Sequence, residues 1–238
     1  MAFVDFAKSI INRVGFSYVK FLNKREYDSQ KFNTVNERPI EYGFVFKYLT
    51  LKWPESVLDV GTGTTALPHL IRNCGFVVTA IDNIQDYWPS GMFNRHYYIM
   101  NDDITKTRLN KKFDFITCVS VLEHIKNHEV AVKSMFSLLN PGGHMILTFP
   151  YNETKYVENV YKLPCSSAKE ESPFTTQAYS RNEIDKWLHD NNGIIVEQEY
   201  WQFFTGEYWT CGERVCPPLQ VDRYKLHQIT CILIQKSV

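Results

Sequence analysis

The chain has 238 residues, enough for one large α/β domain or for one domain carrying a sizeable insertion. Hydrophobic residues make up 44% and charged residues 22%, the balance of a packed globule and not of a disordered or fibrous chain. Lysine plus arginine equals aspartate plus glutamate at 26 each, so the basic excess of a nucleic-acid binder is missing and no such partner is expected.

The chain opens on "MAFVDFAKSIINRVGFSYVKFLNKR", an amphipathic pattern with Phe3, Phe6, Ile10 and Val14 on one stripe. Lys8, Arg13, Lys20, Lys24 and Arg25 supply positive charge, which suits either an anionic membrane surface or packing on the protein's own body. The segment lacks the basic start and unbroken apolar core of a signal peptide. No apolar run reaches the roughly 18 residues of a membrane span. The expected location is cytoplasmic, with this helix as the route to peripheral membrane contact. Next, "NERPIEY" from Asn36 to Tyr42 is dense in hydrogen-bonding groups, and Arg38 there is placed to pair with a ligand carboxylate. A helix follows from Glu41 to Leu51, stopping before Trp53-Pro54. Residues 1–52 are therefore expected to form an N-terminal helical lid, and residues 53–238 the main domain.

Strands are predicted at Val57 to Val60, at "FVVTAID" ending on Asp82, and at "HYYIMNDDI" ending on the acidic pair Asp102 and Asp103. "FDFITCVSV" and "HMILTFP" are the fourth and fifth, with a helix between them that starts near Asn127 and stops at Asn140-Pro141-Gly142-Gly143. Strands alternating with helices imply a doubly wound, mostly parallel sheet. Residues 151–179, with Pro164 and Pro173, read as a loop-rich insertion, and a second insertion is expected at about 205–225. "SRNEIDKWLHDNN" is a helix capped by Ser180, and "GIIVEQEYWQFF" and "LHQITCILIQK" are two late strands. The six cysteines contain no CxxC pair, so they read as free thiols in a reducing compartment, with Cys211 and Cys216 close enough for a clip.

The chemistry concentrates in "VLDVGTGTTALPHL". Gly61-x-Gly63-x-x-Ala66 fits the dinucleotide fingerprint, whose third position accepts Gly or Ala. Asp82 closes the second strand 19 residues after Gly63, where a carboxylate can take both hydroxyls of a ribose. That pattern serves any adenosine cofactor. Asp59 separates the candidates: a pyrophosphate sits on a helix N-terminus that favours negative charge, and a neighbouring carboxylate opposes it. A ligand with an ammonium and a sulfonium welcomes one.

In this order "VLDVGTGTTALPHLI", "VVTAIDN", "NDDIT", "FDFITCVSVLEHI" and "LLNPGGHMILTFP" resemble the successive motifs of class I S-adenosylmethionine-dependent methyltransferases. The resemblance runs from Val57 to Pro150. It departs at Thr65, where these enzymes usually carry a third glycine. It implies a Rossmann-like, seven-stranded sheet whose last strand is antiparallel, and S-adenosyl-L-methionine as cofactor with S-adenosyl-L-homocysteine as product. It implies that Asp59 and the loop of Gly61, Thr62 and Gly63 surround the methionine portion, whose carboxylate Arg38, outside the matched motifs, is placed to pair with. Asp82 and Asn83 would take the ribose, Asp103 or Asp102 with Ile104 the adenine, and Cys118, Val119 and Ser120 the neighbourhood of the sulfonium.

His124 in "LEHI" is the candidate general base, with Glu123 structural or facing substrate. Asp102, Asp103, Glu123 and His124 fall on different strand ends, and no metal site is expected. Tyr151, Tyr156, Trp201, Phe204, Tyr208 and Trp209 offer faces for a flat or sugar acceptor. The expected activity is O-methylation of a sugar or glycan hydroxyl, as in polysaccharide methylation. The alternatives are a quinone, phenol or lipid acceptor, a non-catalytic adenosine-ligand binder, and an NAD-dependent reductase.

Overall fold

The structure is a computed structural model that describes residues 2–33, 36–84, 94–168 and 175–238. It divides into two compact units, Met1–Asn36 and Glu37–Val238. The first carries one long helix, α1 (Ala2–Asp28), closed by the Lys24–Asp28 ion pair. None of the described helices is long and apolar enough to cross a membrane.

The larger unit opens with α2 (Arg38–Lys52), so the boundary expected at residue 52 falls at residue 36. The physical reason is burial. Phe44, Val45, Tyr48 and Leu49 lie on one helical face and pack with Val57, Phe115, Ile146 and Leu233 of the sheet. The strands are β1 (Ser56–Val60), β2 (Val77–Asp82), β3 (Met100–Asn101), β4 (Phe113–Val119), β5 (Leu139–Pro150), β6 (Gly193–Phe204), β7 (Arg214–Val221) and β8 (Ile229–Lys236). They form one sheet in the order β3-β2-β1-β4-β5-β8-β6-β7. The pairings from β3 through β5 are parallel, and β8 runs antiparallel to both β5 and β6.

Successive strand residues point to opposite faces, which is why Val57 joins one core layer and Leu58 the other. Helix α3 (Leu67–Asn73) shares the α2 face, while α4 (His128–Leu138) and α5 (Arg181–Asn191) cover the opposite one. Ser180 caps α5, with Glu183 returning the bond in a capping box. The chain leaves β1 toward β2 and β3, then crosses to β4 on the other side of β1. That reversal makes a crevice at the strand carboxyl ends between β1 and β4.

Three expectations need correction. The sheet has eight strands, because the second insertion contributes β7. Cys216, Pro217 and Pro218 interrupt its pattern, and an edge strand tolerates such prolines. The third strand ends at Asn101, since Asp103 turns out to cap the short 3-10 turn Ile104–Lys106. Cys211 pairs with Cys165 and not with Cys216; the backbone bridge between Ser166 and Cys211 brings the two insertions together with 5.0 Å between the cysteine Cα atoms. The insertion itself is held by bridges between Tyr151 and Tyr179 and between Val157 and Ala178. Pro173 lies outside the described residues.

Cys74 and Cys216 are exposed, whereas Cys118 and Cys231 are buried. Ellman's reagent should therefore titrate two thiols in the native chain and four after denaturation without reductant. A native count of three or more would contradict the pairing or the burial.

Candidate functional site

The loop after β1 sits in the crevice, and its glycines do different work. Gly61 has φ +73°, and a Cβ there would come within 2.3 Å of the Val121 side chain. Gly63 has φ +58°, and a Cβ there would meet nothing within 4 Å, so that side of the loop faces open space. The Gly61 amide donates to the Ile81 carbonyl at 2.9 Å, and the Gly63 amide donates to Asp82 Oδ2 at 2.7 Å. Asn94 Nδ2 donates to the carbonyls of Gly63 and Thr65, tying the loop from outside. Thr65, the departure from the usual third glycine, borders the smaller cavity together with Tyr42 of α2.

Two adjoining cavities share Val60, Gly61, Gly63 and Ser120. The larger, about 530 Å³, is also lined by Asp82, Asn83, Asp102, Asp103, Ile104 and His124. The smaller, about 210 Å³, adds Arg38, Tyr42, Asp59, Thr62 and Val119. Together they have the size and the mixed apolar and polar lining of a small-molecule site. Every residue expected at the cofactor thus borders one cavity or both, except Cys118. Its side chain is fully buried in the core and lines neither.

Asp59 is 2% exposed and accepts from Thr62 Oγ1 and Thr117 Oγ1, both at 2.6 Å. Burial pushes its pKa up to about 6; the two hydroxyls oppose the rise and Asp82 adds to it. Asp82 is also raised by burial, against the amides of Gly63 and Asn83. Asp102 turns away, accepting from Thr107 Oγ1 at 2.5 Å and from the Arg108 amide. Burial works against the charge of Asp103, but bonds from Thr105 and the neighbouring Lys106 outweigh it and hold its pKa low.

Glu41, fully buried, binds both sides of the crevice. It accepts from Ser120 Oγ at 2.5 Å, Thr148 Oγ1 at 2.6 Å and Arg38 Nη1 at 2.6 Å. Desolvation disfavours the Arg38 cation, yet Glu41 and Glu37 outweigh it and raise its pKa. Ser120 holds φ +49° at the end of β4, a backbone state that costs a side-chain-bearing residue and clusters at functional sites.

His124 Nδ1 donates to the Thr175 carbonyl at 2.8 Å, which leaves Nε2 as its basic nitrogen, 3.8 Å from Glu123 Oε1. Burial lowers the His124 pKa and raises that of Glu123 well above the usual carboxylate value, so desolvation works against the charged form of each. Glu123 Oε2 is buried without a hydrogen-bond partner among the described residues.

Of the aromatic residues expected to face an acceptor, Tyr151, Tyr156, Phe204 and Trp209 pack against other rings of the body. Tyr151 is 1% exposed and donates to Glu153 Oε2, and Trp209 stacks edge-on against Phe203 and Phe204. Sequence reasoning missed Thr117, Asn94 and the structural weight of Glu41. Only Glu41 left a signal: an acid at the start of the apolar stripe that continues through Val45 and Tyr48.

A family model described as a methyltransferase domain matches residues 32–209. The ubiquinone biosynthesis O-methyltransferase of Glaesserella parasuis is 31% identical over 172 residues, covering 68% of this chain and 67% of that protein. The protein of the same name from Coxiella burnetii is 27% identical over 117 residues, covering 46% of this chain and 49% of its own length. The chain thus spans about half the length of the first curated relatives it matches. Two solved structures are similar in fold. An S-adenosylmethionine-dependent methyltransferase from Clostridium acetobutylicum has TM-score 0.53 and 15% identity, over 93% of this chain and 100% of its own. The 1,6-didemethyltoxoflavin-N1-methyltransferase of Burkholderia thailandensis has TM-score 0.58 and 13% identity, over 97% and 89%.

Asp59 makes a testable mark on stability. Its folded pKa of about 6 exceeds the ordinary 3.8, so the folded state holds this proton more tightly than the unfolded chain. Stability from this group is therefore greatest in acid and falls as pH rises from about 4 to 6, by about 3 kcal/mol in all. Urea unfolding of wild type and Asp59→Asn across that range should show wild-type stability falling relative to the variant by that amount. Parallel curves would contradict the raised pKa.

Proposed function

This chain belongs to the methyltransferase-domain family, and from that membership we propose that it transfers a methyl group from S-adenosylmethionine to a hydroxyl of a phenolic or quinone-type acceptor. The observation that carries the cofactor reading is the buried Asp59 carboxylate on the smaller cavity, held uphill by desolvation that two hydroxyls and the charge of Arg38 offset only in part. A cationic group is the partner that repays such a carboxylate, whereas a pyrophosphate would repel it.

In this reading Asp59 and Arg38 hold the ammonium and carboxylate ends of the cofactor's methionine part. The Gly63 side of the loop lies open for close approach, and Thr62 and Thr117 aim Asp59. Asp82 takes the ribose hydroxyls with its amide-anchored carboxylate. Asp103 with Ile104 takes the adenine, because the Asp102 carboxylate is spent on Thr107 and Arg108. Ser120 lies where the two cavities meet, and Val119 lines the smaller one. When bound, the cofactor supplies a methyl group activated by its sulfonium, so the protein's task is chiefly positioning. His124, neutral and with its Nδ1 proton on Thr175, offers Nε2 to receive the acceptor's hydroxyl proton.

For the acceptor, the printed names of the curated relatives favour a quinone-pathway ring over a sugar. The internal packing of Tyr151 and Trp209 also withdraws two of the faces that had suggested a glycan.

Titration calorimetry with S-adenosylhomocysteine at neutral pH should show binding that Asp59→Asn and Asp82→Asn each weaken by about 1.5–3 kcal/mol, the range for hydrogen bonds to charged groups. Labelled methyl transfer should reach catechols and not free sugars. NAD binding without S-adenosylhomocysteine binding would sink the cofactor assignment. Cofactor binding with no turnover on any phenol would sink the acceptor.

A further inference from the structure

We infer that α1 is a docking surface for an anionic lipid bilayer, with its axis lying in the membrane plane. The inference concerns α1 alone and is independent of the methyl-transfer reading. The helix has 27 residues, roughly 40 Å at 1.5 Å per residue. Steps of 100° place Phe6, Ile10, Ile11, Val14, Tyr18 and Phe21 within an arc of about 140°. All six are exposed, from 49% at Ile10 to 69% at Ile11. A row of large apolar side chains left in water on one face is an interaction surface, not ordinary surface scatter. Phe16 and Val19 stand outside that arc.

Charge selects the occupant. α1 carries five basic residues, Lys8, Arg13, Lys20, Lys24 and Arg25, against three acids, Asp5, Glu26 and Asp28, with Lys24 paired to Asp28, so it is net positive in a chain whose formal net charge is zero. Arg13 and Lys20 border the apolar arc on one side and Lys8 on the other, where long basic side chains reach lipid headgroups while the arc enters the acyl boundary. Pairing with the same helix of a second copy would set these like charges against one another. An anionic leaflet attracts all of them at once.

The test is sedimentation of the full chain with vesicles of phosphatidylcholine alone or mixed equally with phosphatidylglycerol. The bound fraction should be high on the mixed vesicles, and should fall roughly tenfold or more on pure phosphatidylcholine or in molar salt, as screened charge requires. Val14→Glu with Phe21→Glu should abolish binding, and so should Lys8→Glu with Lys20→Glu. Both pairs should leave S-adenosylhomocysteine binding by the larger unit unchanged, which shows that the chain still folds. Equal binding to both vesicles, no binding to either, or a concentration-dependent dimer that the same substitutions dissolve would each overturn the proposal.

Discussion

The buried carboxylate of Asp59 sets the terms for the rest of the site. It ends up dry because β1 lies in the interior of the sheet, between β2 and β4, with its whole carboxyl half covered. A charge in that position must be offset, and the protein supplies two hydroxyls from different elements, Thr62 of the loop and Thr117 of β4. Those bonds register the loop against the neighbouring strand. The amide of Gly63 is then presented to Asp82, which registers the loop against β2 as well. One uphill carboxylate therefore draws three elements into the geometry that an adenosine-bearing cation needs.

Glu41 plays the complementary part across the crevice. It too is buried, but it has an intrinsic cation in Arg38 together with hydroxyls from Ser120 and Thr148. It joins α2 to the ends of β4 and β5, which explains why that helix belongs to the body and not to a lid. Among the described residues no cation forms an ion pair with Asp59, on which Arg38 acts only through its field, and a cationic ligand group is the natural complement to this asymmetry. Desolvation acts the same way on Glu123 and His124, pushing the acid's pKa up and the base's down beside the larger cavity.

Much of this was legible in the residues because strand ends and glycine loops leave local marks. The alternation of apolar runs with turn signals located β1, β2, β4 and β5, and the spacing from Gly63 to Asp82 placed both on one cavity. What stayed hidden was tertiary. The partner of Asp59 on β4 is an ordinary strand threonine until the register sets Asp59 against Thr117. Strand β7 was obscured by Pro217 and Pro218, which break the pattern without preventing edge pairing. The pairing of Cys165 with Cys211 spans 46 residues and depends on two loops meeting, which no local spacing encodes. Thr65 looked like a defect in a glycine motif; its place beside Tyr42 on the smaller cavity only exists once α2 is packed on the sheet.

The most direct measurement is the titration of the Asp59 carboxyl carbon by NMR, without ligand and with saturating S-adenosylmethionine. The account predicts a midpoint near 6 in the free protein that falls below the ordinary 3.8 once a cationic partner is bound. A midpoint that is ordinary in the free protein, or one that does not move when the cofactor binds, would contradict it.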